Sequence, residues 1–277
     1  MVAGADNGIS LTLFNDRTSD QMSPPVTISI AAMTSPETMS TVSGPVRGVA
    51  DGSEILRIVV PAFTTRLMTQ GSFVPNRPNQ LQILLNVNVD LLQQDTVLIS
   101  GLAPTATQAS SLVLSGTAAV VFGGAAAYAT DGTLTFTVTS AKLAANYQHT
   151  LSFTLKNVGY AVNSPSMYIR AFGSVSVDVA LVDKGPGDSR PLFVAGFTTK
   201  TIQQSTVATG MFNTISITFQ VNRDFSYETE SPIVTIRFVS SANEPARERE
   251  SRKTAGERGQ GHANVPICTA MSISVKM

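Results

Sequence analysis

Two clusters of side-chain oxygens stand at matching places in the chain: Asn88, Asp90 and Asp95, and further on Asn222, Asp224, Glu228 and Glu230. Calcium takes about six to eight oxygen ligands, and carboxylates on loops supply several of them. These seven residues are therefore the weak calcium candidates of the sequence. No dense Asp-x-Asp-x-Asp spacing accompanies them, and Asn and Asp also end strands because their side chains cap turns. Turn capping is the stronger reading, and no metal or other cofactor is expected. Gly-x-Ser-x-Gly, His-Glu-x-x-His, a Walker loop and a dinucleotide fingerprint are all missing. The chain has two histidines, His149 and His262, and a single cysteine, Cys268, which excludes an intrachain disulfide framework and any multi-cysteine metal site. A nucleophilic triad needs a rigidly oriented imidazole. His149 shares strand parity with Leu151, Phe153 and Leu155, which puts it at the edge of an inward face. His262 falls in a charged segment without an apolar pattern. The expectation is a protein that is not an enzyme. Gly123 and Gly124 sit in an alanine-rich stretch with no helix after them, so they do not read as a phosphate cradle.

Alternation dominates the segments that would carry these residues. "ISLTLF" from Ile9, "LQILLNVNV" from Leu81, "TLTFTVT" from Thr133, "TLSFTLKNV" from Thr150, "VSVDVAL" from Val175 and "ISITFQV" from Ile215 place apolar residues two apart. Period two sends those side chains to one face of a strand. Gly, Pro, Asn and Asp fill the intervals, and no amphipathic helical pattern of useful length appears. Many short strands with frequent turn signals predict an all-β antiparallel sandwich.

The alternation is also written twice. "VPAFTTRLMTQ" from Val60 returns as "VAGFTTKTIQQ" from Val194, and residues 60–91 match 194–225 at ten of 32 positions without a gap. Phe63, Thr64, Thr65 and Gln70 recur as Phe197, Thr198, Thr199 and Gln204. Asn79, Val87, Asn88 and Asp90 recur as Asn213, Val221, Asn222 and Asp224. A second correspondence joins "ISLTLFND" from Ile9 to "LSFTLKNV" from Leu151 at a shift of 142, and "SPPVTI" from Ser23 to "SPSMYI" from Ser164 at 141. The phase divides the chain into the C-terminal part of one sandwich repeat (1–55), a complete repeat (56–190) and the N-terminal part of a third (191–277). A unit of this length is the size of a self-contained sandwich domain rather than a solenoid turn. Phe63 and Phe197 are expected in the core rather than as exposed ligand platforms. In "LAANYQH" from Leu143, the Leu-x-Ala-x-Tyr spacing makes Tyr147 the candidate for a tyrosine corner.

Between Glu244 and Arg258 lie nine of the chain's 38 charges. Residues 241–264 lack an apolar face and are expected to form a disordered insertion in the third unit. Elsewhere charge is sparse, at 14%, and the net charge is zero, so nothing draws in nucleic acid. The apolar run "AAVVFGGAAAYA" from Ala118 is too short for a transmembrane segment. No basic stretch followed by an apolar one opens the sequence, so no signal peptide is expected in it.

The phrases "FTTKTIQQS…FNTISITFQVN", "TVLISGL", "GTLTFTV" and "LSFTLKNV…SPSMYI" together resemble the tandem Ig-like β-sandwich repeats of large surface or secreted proteins of algae and other protists. Similar arrays occur in bacterial adhesins. The resemblance implies an extracellular or cell-surface structural and adhesive role, with other proteins or glycans as partners, and supplies no catalytic residues. The alternatives are a carbohydrate-binding module, which the absence of Trp opposes, and a viral jelly-roll shell protein, which the duplication opposes. Because the first and third pieces are complementary halves of one unit, they are expected to pair either within one chain or between chains by head-to-tail self-association.

Overall fold

The computed structural model describes residues 8–15, 18–30, 35–224, 233–239 and 270–276. Its strands are β1 (Thr27–Ile28), β2 (Glu37–Thr38), β3 (Phe63–Gln70), β4 (Pro78–Val87), β5 (Leu91–Leu92), β6 (Thr96–Ser100), β7 (Ser110–Val113), β8 (Ala125–Tyr128) and β9 (Leu134–Thr137). There follow β10 (Lys142–Leu143), β11 (His149–Lys156), β12 (Tyr168–Phe172), β13 (Val177–Leu181), β14 (Asp183–Lys184), β15 (Phe197–Gln204), β16 (Ile215–Val221), β17 (Ile233–Val239) and β18 (Ala270–Lys276). Helical structure among the described residues is limited to two three-residue 3-10 turns, Val120–Phe122 and Gly187–Ser189. Among the described residues no helix is long and apolar enough to cross a membrane. By internal contacts the chain divides into two compact units, Met1–Asn222 and Arg223–Met277.

In the first unit a four-stranded sheet, β11-β4-β3-β14, faces a six-stranded sheet, β13-β12-β6-β9-β8-β7. Along β4 the alternation works as the sequence predicts: Leu81, Ile83, Leu85 and Val87 are buried while Gln80 and Gln82 are exposed. Strand β11 runs antiparallel beside it, with Leu151 opposite Ile83 and Phe153 opposite Leu81. These residues share one core with Val97, Ile99, Leu134, Phe136, Ile169 and Ala171 of the other sheet. The fold is an all-β sandwich. Phe122 meets Phe136 edge-on at 4.8 Å between ring centroids, a favourable arrangement for aromatic quadrupoles. The apolar run from Ala118 reverses at Gly123 and Gly124, whose φ values of 69° and 73° are ones that side chains other than glycine rarely adopt. Its first part therefore makes a 3-10 turn and its second becomes β8.

Smaller antiparallel pairs flank the sandwich in sequence: β1 with β2 before it and β15 with β16 after it. The second unit contains the antiparallel pair β17 and β18, with Ile236 opposite Ile273. The predicted strand "ISLTLF" is the exception to the alternation rule. Residues 9–15 lie in no strand, and Ile9 and Leu11 are 89% and 82% exposed. Alternation gives a segment the faces of a strand, but a strand exists only where a neighbour supplies hydrogen bonds. The charged segment 241–264, His262 and Cys268 lie outside the described residues.

Candidate functional site

The two copies of the repeated sequence fold into the same hairpin. In the first, Phe63 pairs with Val87, a bulge follows, and Thr65 to Gln70 pair with Asn86 to Leu81. In the second, Phe197 pairs with Val221, a bulge falls at the same place, and Thr199 to Gln204 pair with Gln220 to Ile215. Each register position is the other moved by 134 residues. The polar contacts repeat as well. Asn88 Oδ1 accepts from the Ala62 amide at 2.8 Å and its Nδ2 donates to the Val60 carbonyl at 2.9 Å. Asn222 Oδ1 accepts from the Gly196 amide at 3.0 Å and its Nδ2 donates to the Val194 carbonyl at 2.9 Å. At the opposite end of each hairpin, Asn79 Nδ2 donates to Gln70 Oε1 at 2.9 Å and Asn213 Nδ2 to Gln204 Oε1 at 3.1 Å. Asn79 Oδ1 accepts from the Ser72 amide, and Asn213 Oδ1 from those of Ser205 and Thr206.

The repeat reaches back to the segment before the sandwich. Gln21 bridges Ile58 through two backbone hydrogen bonds, two residues short of Val60, the counterpart of the Val194 that Val162 bridges in the same way. Thr27 and Ile28 of β1 occupy the sequence positions of Tyr168 and Ile169 of β12, and both strands pair antiparallel with the strand that follows.

Burial separates the two hairpins. Phe63 is 4% exposed and Phe197 43%; Met68 is sealed whereas Ile202, its counterpart, is 57% exposed. The repeated strands have different environments because β3 and β4 lie between β11, β14 and the second sheet, whereas among the described residues β15 and β16 pair with each other alone. Around Asn79 this enclosure produces a buried polar network. Its Nδ2 also donates to Asn157 Oδ1 at 2.9 Å. Asn157 Nδ2 donates to the Ser72 and Val74 carbonyls, and Gln70 Nε2 to those of Asp188 and Phe193.

The acidic candidates divide by position. Asn88 and Asn222 act as clamps, each fastening the strand entry of its hairpin to the strand exit. Buried Asp90 accepts from Lys142 Nζ at 2.7 Å and from the Ala145 amide at 2.7 Å. Buried Asp95 accepts from the Leu92 amide and the Ser174 hydroxyl, both at 2.7 Å, and from the Ser174 amide. Their oxygens are thus occupied by N–H and O–H donors, which is turn capping. Gly48, at φ 76°, makes room for this: a Cβ there would stand 2.6 Å from Asp90 Oδ1. Asp224 is exposed, and Glu228 and Glu230 lie outside the described residues. Among the described residues no group of three or more acidic, His or Cys side chains is placed to hold a metal. Asp95→Ala leaves two amides and a hydroxyl without their buried acceptor, and is expected to destabilise the sandwich by about 2–4 kcal/mol. A fall in the urea midpoint at unchanged m-value is the measurement that checks it.

His149 is buried, with Nε2 3.0 Å from the Ala144 carbonyl. Tyr147 is exposed and packs its ring edge-on against His149 at 4.9 Å. Among the described residues the buried, hydrogen-bonded tyrosine is Tyr128, whose hydroxyl lies 2.9 Å from Thr105 Oγ1 and 3.3 Å from the Leu102 carbonyl. Its place at the end of an alanine-rich run gave no sequence signal. Another grouping the sequence concealed is a cleft of about 300 Å³, where Phe14 and Asn15 lie beside Arg57, Val60, Pro61 and Ser174. A comparison with protein-family models and with curated proteins finds no match to this chain.

Proposed function

We propose that this chain is a non-enzymatic structural and adhesive module, one stretch of a tandem array of Ig-like sandwiches in a larger surface or extracellular protein. The observation that carries the reading is the duplicated hairpin, which keeps its register, its bulge and its asparagine clamps over a shift of 134 residues. Each clamp ties a hairpin to the residues that lead into it. Asn222 also reaches the Val162 carbonyl at 3.4 Å, so the clamp joins the end of the complete sandwich to the start of the next hairpin. Such a junction suits a spacer whose units keep a fixed orientation. The sparse charge and abundant hydroxyl side chains fit an exposed surface role, and the partners would be proteins or glycans.

An antibody raised against residues 56–190 provides the test. Staining of intact, unpermeabilised cells or of their secreted matrix is the expected result, with a gene product much longer than this chain. Staining that appears only after permeabilisation overturns the reading.

A further inference from the structure

We infer that the outer face of strand β12 binds a neutral oligosaccharide, with Tyr168 and Phe172 stacking on sugar rings and Arg170 and Asp178 bonding to the hydroxyls between them. This names a partner class for the adhesive role proposed above and rests on that reading.

Strand β12 sorts its residues by period two. Ile169 and Ala171 point into the core and are 1% exposed, whereas Tyr168 and Phe172 on the other face are each 43% exposed and Arg170 between them is exposed. The two rings stand four residues apart, roughly 13 Å along the strand, which is farther than one sugar ring spans. Beside them on β6 lie Ser100, Leu98 and Thr96, opposite Tyr168, Arg170 and Phe172; on β9, Thr135 and Thr137 follow opposite Leu98 and Thr96. The hydroxyls of Thr96 and Thr137 meet at 3.3 Å. Between Tyr168, Arg170, Val179, Leu98, Ser100 and Thr133 is a cleft of about 330 Å³, at the small end of the range of about 300–1,000 Å³ for ligand pockets. A pyranose offers apolar C–H faces and a rim of hydroxyls. Aromatic rings set among side-chain hydroxyls match both, whereas a protein partner calls for a contiguous apolar centre.

The charges of this face point to a neutral ligand. The Arg170 guanidinium stands 5.5 Å from the Phe172 ring centroid, a cation–π contact that leaves its N–H donors unspent. Asp178, exposed, shares with Val179 the bulge opposite Arg170. Among the described residues neither Arg170 nor Asp178 makes a hydrogen bond or an ion pair. One free donor group and one free acceptor sum to no net charge. They suit hydroxyls, whereas a uronate or sulfate group would be repelled by Asp178.

The fold does not ask for these residues. In the first copy of the repeat, the shift of 141 places Ile28 and Ile30 where β12 has its inward Ile169 and Ala171, so the core positions stay apolar. The outward positions change completely: Thr27, Ser29 and Ala31 stand where the complete sandwich has Tyr168, Arg170 and Phe172. Strand β12 also lies inside its sheet, between β13 and β6. Strands added by a neighbouring repeat would join at an edge of the sheet and leave this face bare.

The full chain tested on immobilised hexasaccharides decides the matter. The probes are neutral glucan, mannan and xylan fragments, beside uronic-acid and sulfated fragments of the same length, with titration calorimetry on the best binder. The expected result is binding to a neutral fragment, weakened about tenfold by Tyr168→Thr or by Phe172→Ala. The triple variant Tyr168→Thr, Arg170→Ser, Phe172→Ala, which carries the residues of the first copy, is expected to lose binding while keeping its far-UV circular dichroism. Asp178→Ala, an exposed residue with no hydrogen bond to lose, should weaken binding about fivefold and does not depend on the triple variant folding. Tyr160→Thr, at an exposed tyrosine outside β12, should leave affinity unchanged. Binding that survives the triple variant, a preference for the acidic fragments, or no binding to any neutral fragment overturns the inference. Each of these leaves cell-surface staining as it was, and loss of staining leaves the measured affinity as it was, so the two readings fail separately.

Discussion

Asn79→Leu is expected to lower the stability of the sandwich by about 3 kcal/mol, although leucine is apolar and close in size. Asn79 is fully buried at the centre of a network in which every amide group has a partner. Leucine removes one member and leaves buried Gln70 Oε1 and Asn157 Oδ1, and the half-buried Ser72 amide, without that partner. A half-satisfied polar network costs more than an apolar site would, because the remaining groups have lost water and gained nothing in exchange. Asn213→Leu is the internal control. Asn213 holds the matching place in the exposed second hairpin, where water takes over its bonds, so the loss there is expected to stay within about 1 kcal/mol. Urea unfolding followed by far-UV circular dichroism compares the two. Equal midpoints for both variants would refute the role assigned to the network.

The second large effect separates the two phenylalanines. Phe63→Ala should cost about 3–4 kcal/mol, since it empties a buried site shared by both sheets. Phe197→Ala should cost less than about 1 kcal/mol in the dilute chain. Phe197 remains 43% exposed and touches one ring, Phe219, edge-on at 5.7 Å. Thermal unfolding at low concentration gives the comparison. A Phe197→Ala loss as large as that of Phe63→Ala would mean that the second hairpin has a covering layer of its own. These two pairs of substitutions share a logic: the same residue in the same register is worth several-fold more where a second sheet closes over it.

Particular segments show why some of this was legible in the sequence. Strand β4 could be read residue by residue, because "LQILLNV" alternates and its faces differ in hydropathy. The hairpin at residues 197–221 could be read by analogy with 63–87, down to the asparagines that close its ends. Strand β1 was legible only as a counterpart of β12; its two residues carry no pattern of their own. The calcium reading of Asp90 and Asp95 could not be decided from spacing. Their oxygens were claimed by Lys142, Ala145, Leu92 and Ser174, residues as far as 79 positions away. The hydrogen-bonded tyrosine was equally hidden, since Tyr128 gains its partner Leu102 only when β8 folds beside the loop after β6.

By itself the amino-acid sequence determined the all-β class, the inward faces of the longer strands and the duplication of one hairpin, because these depend on period-two patterning and on identity at a fixed shift. Only the tertiary structure decided which copy is buried, which carboxylates cap turns, and that residues 9–15 remain without a strand partner. Burial and hydrogen bonding are properties of pairs of segments, and a strand acquires them from its neighbours rather than from its own residues.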